Sequence, residues 1–181
     1  MNDRSRVDLT QPVIATDHLL GDPRAPVTVV EYGDFECPLC KQSAPTVRLL
    51  LKRFENAVRF AYRHFPQEAV HPHALQAAEA AECAGSQGRF WAMHDLLFEN
   101  QTHLSRKHLD AYAEQLSLDI ARFTAELDDG VYRQRIREHL ESGRASHVRA
   151  TPGFFVNGVI VDVSFGMRAL FDAVEARIRA G

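Results

Sequence analysis

Apolar residues are spaced so that they divide the chain into a short α/β opening, a long helical middle, and a hairpin followed by a final helix. Residues 27–35, VTVVEYGDF, are almost wholly apolar, which predicts a strand buried on both faces. A helical period follows. Val47, Leu50, Leu51 and Phe54 recur at i, i+3, i+4 and i+7, Pro38 suits the first helical position, and Pro45 predicts a kink inside the helix. Residues 57–65, AVRFAYRHF, then alternate, with Val58, Phe60, Tyr62 and His64 sharing one parity: a second strand, expected parallel to the first.

From His71 to about Val148 the period is helical throughout. One helix is expected from HPHA, with Pro72 in its first turn, through the Ala-rich ALQAAEAAECA, ending near Gly85 and Gly88. Phe90, Trp91, His94, Leu97 and Phe98 share a face, with Trp91 expected as the largest single burial. Ser105 reads as an N-cap, with Leu104 and Leu109 placed for a hydrophobic staple. Asp119 caps a short helix that turns Ile120, Phe123 and Leu127 inward, and a longer helix follows Gly130. In FFV-NG-VIV, Asn157-Gly158 stands between two β-formers, the signal for a two-residue type I′ hairpin. A closing helix over 167–180 carries Leu170, Phe171, Val174 and Ile178. The layout is β-α-β, helical insert, β-hairpin, α. It predicts a core of residues 21–66 and 149–181, an inserted helical domain at 67–148, and a mobile N-terminal arm at 1–20.

Composition narrows the function classes. The 181 residues are 45% hydrophobic, enough for a core without disulfide staples. A net charge of -3 and a pI near 6.3 give no support to a nucleic-acid partner, and no basic amphipathic stretch points to a membrane. The opening residues have no apolar leader, and no apolar run reaches the ~18 residues of a membrane span. The expected compartment is therefore cytoplasmic, or periplasmic or otherwise extracytoplasmic if the sequence has been trimmed.

Two of the three cysteines, Cys37 and Cys40, stand in ECPLC where the first strand passes into the first helix. Tetrahedral zinc needs four ligands, and neither a second C-x-x-C nor a paired His/Cys cluster is present in the sequence. A zinc half-site completed by a second copy stays open as a rival. A structural disulfide does not suit a cytosolic chain. The strand–cysteine–helix context points to a redox dithiol. Free N–H groups and the helix dipole favour a thiolate at Cys37. A cysteine with pKa about 8.5 is only ~3% ionised at pH 7, whereas one near 6 would be ~90% ionised. Cys37 is expected as an exposed nucleophile and Cys40, one turn inside, as the enclosed resolving thiol.

Glu31, six residues before Cys37, interrupts an apolar strand. It is either a strand-end carboxylate facing solvent or a buried acid of raised pKa that takes and returns the Cys40 proton. Asp34 and Glu36, if close and ionised, would oppose a thiolate at Cys37, while Lys41 would favour one. Cys83 reads as a small core residue in the Ala-rich helix. His71 and His73 read as helix-start surface residues rather than ligands, and Arg133 and Arg137 as a solvated face.

These residues carry a resemblance. GDPRAPVTVVEYGDFECPLC (residues 21–40), QGRFWAMHDLLFENQ (87–101) and TPGFFVNG (151–158) stand in the order found in DsbA-like thiol:disulfide oxidoreductases of the thioredoxin superfamily, most like a bacterial branch. The resemblance implies an α/β, thioredoxin-like fold, a central mixed sheet flanked by helices, interrupted by an α-helical domain. It implies Cys37 as the attacking cysteine and Cys40 as its partner, Glu31 as the buried acid, and a cis Thr151-Pro152 bond beside the dithiol. Pro38, Leu39, Thr151 and Pro152 would contact the substrate, bound like an added strand. Partners would be client proteins or peptides with thiols or disulfides, and a second thiol system to reset the dithiol. No metal or organic cofactor is implied.

Where strongly oxidising members have Pro-His between the cysteines, this chain has Pro-Leu. Leu39 cannot stabilise a thiolate by charge, so Cys37 is expected to be less acidic than theirs, with a potential between about -270 mV for thioredoxin and about -120 mV for DsbA. That interval is worth roughly 7 kcal/mol, and the motif leaves the direction of electron flow open. Two rivals share the scaffold: a peptide-binding or chaperone module with incidental thiols, and a glutathione-using relative of the kappa-transferase type, a group that lacks this dithiol.

Overall fold

The computed structural model describes residues 7–181. Five strands form one mixed sheet: β1 (His18–Gly21), β2 (Val27–Gly33), β3 (Val58–His64), β4 (Gly153–Val156) and β5 (Val159–Val161), in the spatial order β1-β3-β2-β4-β5. β2 and β3 are parallel, with Glu31 opposite Tyr62, and the other pairings are antiparallel. The crossover between β2 and β3 is α1 (Pro38–Arg53), which runs unbroken past Pro45. Five helices separate β3 from β4: α2 (Ala74–Gly85), α3 (Phe90–Glu99), α4 (Arg106–Gln115), α5 (Ile120–Asp128) and α6 (Arg133–Ala145); α7 (Arg168–Ala180) closes the chain. This is the mixed sheet flanked by helices that the resemblance implied.

Strand parity sorts the core onto two faces. Val27, Val29, Phe60, Tyr62, Phe154 and Val156 pack with Cys40, Val47 and Leu50 of α1 and with the helices between β3 and β4. Val30, Tyr32, Ala61, Phe65 and Phe155 pack on the opposite face with Leu9 and Val148. Glu31 shares the first face with α1, because side chains two apart along a strand point the same way. The hairpin forms as the Asn-Gly pair predicts: Asn157 and Gly158 have φ of 47° and 80°, and Val156 pairs with Val159.

Several expectations need correction. Residues 18–20, placed in the N-terminal arm, belong to β1, a four-residue edge strand too short to show a period. The segment before it packs on the sheet. Arg63, 1% exposed, donates to Asp17 from Nε and Nη2 at 3.0 and 2.9 Å and to the Gln11 and Pro12 carbonyls. The part of the arm before Val7 lies outside the described residues. Trp91 is only partly buried, with its indole N–H donating to the Leu19 carbonyl at 3.1 Å; Phe90, Met93 and Leu97 are the buried members of that helix. Ile120 is 36% exposed, because only Phe123 and Leu127 of α5 reach the core. Asp119 caps α5 through the Arg122 N–H, whereas the Ser105 hydroxyl pairs with His108 Nδ1 instead of a backbone group. Arg133 is not merely solvated: its Nε reaches buried Glu79 at 2.8 Å, while Arg137 stays exposed.

Candidate active site

The dithiol sits where β2 ends. Cys37 is the N-cap of α1 and Pro38 its first helical residue; the helix has no side-chain cap, so its first N–H groups are free to face the Cys37 sulfur. Cys37 is pulled down to about 5, chiefly by the Cys40 thiol, then by the Thr151 side chain and the backbone N–H groups of Cys40 and Leu39, against an opposing cost of burial. Cys40 moves the other way, well above an ordinary thiol, because it is buried and faces the Cys37 and Glu31 charges. Cys37 is 5% exposed and Cys40 0%, so the expected order of access holds, but Cys37 is a nearly buried thiol and not an exposed one. All three cysteines are free thiols.

Thr151 lies against Cys37. The Cys37 thiol donates to the Thr151 carbonyl at 3.3 Å, the Thr151-Pro152 bond is cis, and Gln67 Nε2 donates to the Thr151 hydroxyl at 2.6 Å. Leu39, 58% exposed, and Pro152 line one cleft of about 410 Å³ with Gln42, Ser43 and Met167. Apolar walls with few polar groups suit an extended chain lying along Leu39, Thr151 and Pro152.

Glu31 is 2% exposed on β2 and has no cationic partner among its contacts. Burial raises its carboxyl to about 8, offset in part by the Ser43 hydroxyl, which donates to Oε1 at 3.3 Å while also reaching the Cys40 carbonyl at 2.8 Å. Between the two readings of this strand acid, the buried one describes its position.

Asp34 and Glu36 are occupied elsewhere. Asp34 Oδ2 accepts from His71 Nδ1 at 2.7 Å and the Gln67 N–H at 2.9 Å, and Oδ1 from the Glu36 N–H; its own N–H points at Cys40 Sγ from 3.5 Å. Glu36 takes His73 Nδ1 at 3.0 Å and the His73 N–H at 2.7 Å. The two histidines are therefore tethers between α1's start and the loop before α2, a role that spacing could not show. Lys41 reaches the Glu99 carbonyl at 3.4 Å, away from the sulfur. Gln101 Nε2 donates to the Phe35 and Cys37 carbonyls at 2.9 and 2.8 Å, so the block 87–101 ends on a residue that holds the dithiol loop. Cys83 is 0% exposed, with burial pushing its thiol to about 12, as a packed core residue requires. Among the described residues no group of three or more His, Cys, Asp or Glu side chains could hold a metal.

Fold and site together define a thioredoxin-superfamily protein with its cysteines at a strand-to-helix junction. The chain belongs to the thioredoxin family, whose model described as Thioredoxin matches residues 14–176, and its fold is DsbA-like. It is similar in structure to oxidised BdbD from Bacillus subtilis (24% identity, 93% of this chain and 96% of that one, TM-score 0.83). It is also similar to a thioredoxin-like oxidoreductase from Silicibacter pomeroyi DSS-3 (26%, 91% and 94%, 0.80). Among curated proteins it is 50% identical over 171 residues to "Na(+)/H(+) antiporter NhaA 1" of Salinispora arenicola, a match to 94% of this chain and 26% of that protein. The chain thus spans about a quarter of the length of the curated relatives it matches. No helix among the described residues is long and apolar enough to cross a membrane. Family and fold support a thiol–disulfide oxidoreductase in general terms.

Proposed function

We propose that this protein exchanges disulfides with protein or peptide clients through Cys37 and Cys40. The observation that carries the reading is the split between the two sulfurs: Cys37 at about 5, beside the cleft, and Cys40 far higher and sealed behind it. One dithiol so arranged holds a ready nucleophile and a protected second thiol.

In the reducing direction the Cys37 thiolate attacks one sulfur of a client disulfide. The Cys37–client bond forms, the client S–S bond breaks, and one client sulfur leaves as thiolate. Cys40 then gives its proton to Glu31 and attacks Cys37 Sγ. The Cys37–Cys40 bond forms, the second client sulfur departs, and the two electrons of the dithiol now reside on the client. In the oxidising direction every step reverses, and a separate thiol system resets the pair. Thr151 and Pro152 would hold the client backbone as an added strand, with Leu39 and the fully exposed Phe165 as apolar contacts beside it.

A value of about 5 for Cys37 falls between about 7 in thioredoxin and about 3.5 in DsbA, consistent with a potential between theirs. With Leu39 in place of a histidine, the thiolate relies on Cys40, Thr151 and helix N–H groups. The antiporter activity named for the longer relatives is not carried over to this chain.

Insulin reduction by dithiothreitol, with wild type and Cys37→Ser compared, tests the reading. Acceleration by wild type and none by the variant is expected; equal rates would leave only a peptide-binding module.

A further inference from the structure

Gln67, in the loop that leaves β3, is tied to both halves of the site. Its N–H donates to Asp34 Oδ2 at 2.9 Å, and its side-chain Nε2 donates to Thr151 Oγ1 at 2.6 Å. Its carbonyl accepts from the Val70 and His71 N–H groups at 3.0 and 2.9 Å, so the backbone is held on both sides and the side chain starts from a fixed point. Gln67 is half-buried and Thr151 is 4% exposed, so the threonine hydroxyl needs a partner inside the protein.

These bonds belong to a closed ring. The Asp34 carbonyl accepts from the Cys37 N–H at 3.1 Å, and the Cys37 thiol donates to the Thr151 carbonyl at 3.3 Å. Four hydrogen bonds thus run from Cys37 to Asp34, to Gln67, to Thr151 and back, through the loops after β2, after β3 and before β4. One of the four does not survive disulfide exchange. As a thiolate, or once bonded to a client sulfur, Cys37 has no S–H to donate. The Thr151 carbonyl is then released as an acceptor at the moment a client strand is being added. Thr151 lies beyond Gly153, the last residue of β4 paired with β2, so the sheet ladder does not hold it. The Gln67 amide bond contains no reacting atom and persists through every redox state.

We propose that Gln67 is a positioning residue for the client: its amide holds Thr151 so that the carbonyl released by Cys37 stays aimed at the client backbone. The inference rests on the exchange reading above. Gln67 takes no part in electron transfer; no sulfur bond forms or breaks at it and no proton leaves it. Its contribution is to the binding of an extended peptide, and a small disulfide without a peptide backbone cannot draw on it. An amide also serves as donor without bringing a negative charge toward a thiolate, which a carboxylate would do.

The test compares two substrates in steady state, with dithiothreitol resetting the pair: a disulfide-linked peptide carrying a fluorophore and quencher, and hydroxyethyl disulfide. For Gln67→Leu, KM for the peptide is expected to rise about five-fold, the size of one neutral hydrogen bond, with kcat unchanged. The rate with hydroxyethyl disulfide stays level. Because Gln67 acts through the threonine hydroxyl, adding Gln67→Leu to Thr151→Val changes KM no further. Gln67→Asn, whose amide is one methylene short of that hydroxyl, is expected to give the same KM shift and replaces the leucine variant if that one does not fold. An unchanged KM overturns the proposal. So does a further rise in the double variant, or a parallel loss with hydroxyethyl disulfide, the behaviour of a loosened site. If wild type turns over neither disulfide, the exchange reading fails and this proposal with it.

Discussion

Glu31 and Glu82 are the same residue type in the same fold, 2% and 3% exposed, yet burial leaves them in opposite states. Glu82, on α2, accepts from His18 Nε2 at 3.0 Å and His64 Nε2 at 2.8 Å, and Arg135 Nε stands 3.1 Å away. The two histidines hold its carboxyl far below the usual range, although burial pushes the other way. Among the described residues Glu31 has one weak hydroxyl donor and no cationic partner, so burial wins and its carboxyl rises to about 8. Desolvation alone thus says little about what a buried acid does. One that is surrounded by donors is a fixed charge that ties β1, β3, α2 and α6 together. One left nearly alone can take up a proton near neutrality and give it back.

The largest expected effect comes from breaking the paired member. Glu82→Gln leaves Arg135 without its anion and is expected to cost about 3 kcal/mol of stability by urea unfolding, with the exchange rate per folded molecule unchanged. A loss of exchange without loss of stability would reverse the assignment of the two glutamates. Glu31→Gln should do the opposite: resolution by Cys40 slows on the order of a hundred-fold in single-turnover kinetics, while the protein unfolds no more readily.

Stability against pH sharpens the contrast, because the two glutamates have opposite slopes. Glu31, raised from 4.5 to about 8, favours the native state most below pH 4.5, and this contribution is lost as pH rises toward 8. Glu82, lowered from 4.5, contributes fully above that value and loses its contribution as pH falls below it. His139, lowered from 6.5 to about 3, adds to the loss on the acid side. The difference in unfolding free energy between wild type and Glu31→Gln should therefore shift against wild type from pH 4.5 to 8, by a few kcal/mol in order of magnitude. The difference against Glu82→Gln should collapse below pH 4.5. The smallest effect is that of Ser43→Ala, which removes the Ser43 hydroxyl donor to Glu31 and should raise its titration midpoint by about one unit, read by carboxyl NMR.

These two acids were not equally legible in the sequence. Glu31 stood out because it interrupts an apolar strand at a fixed distance before ECPLC, and the strand-to-helix junction already marked Cys37. The hairpin was legible for a local reason too, since Asn-Gly supplies two positive φ values within two residues. Glu82 had no such signal: its partners come from β1, β3 and α6, and an acid in an Ala-rich helix reads as a surface residue until the helix is docked. For the same reason His71, His73, Gln67 and Gln101 were missed as supports of the site. Their targets, Asp34, Glu36, Thr151 and the Cys37 carbonyl, meet them only through tertiary packing. β1 escaped because four residues at a sheet edge carry neither length nor alternation.

The central claim, that α1 begins on a reactive thiolate, is tested most directly by the pH dependence of Cys37 alkylation in the reduced protein, followed by mass spectrometry at that residue. A midpoint near 5 is the predicted result. A midpoint near 9.0, where an ordinary thiol ionises, would contradict it.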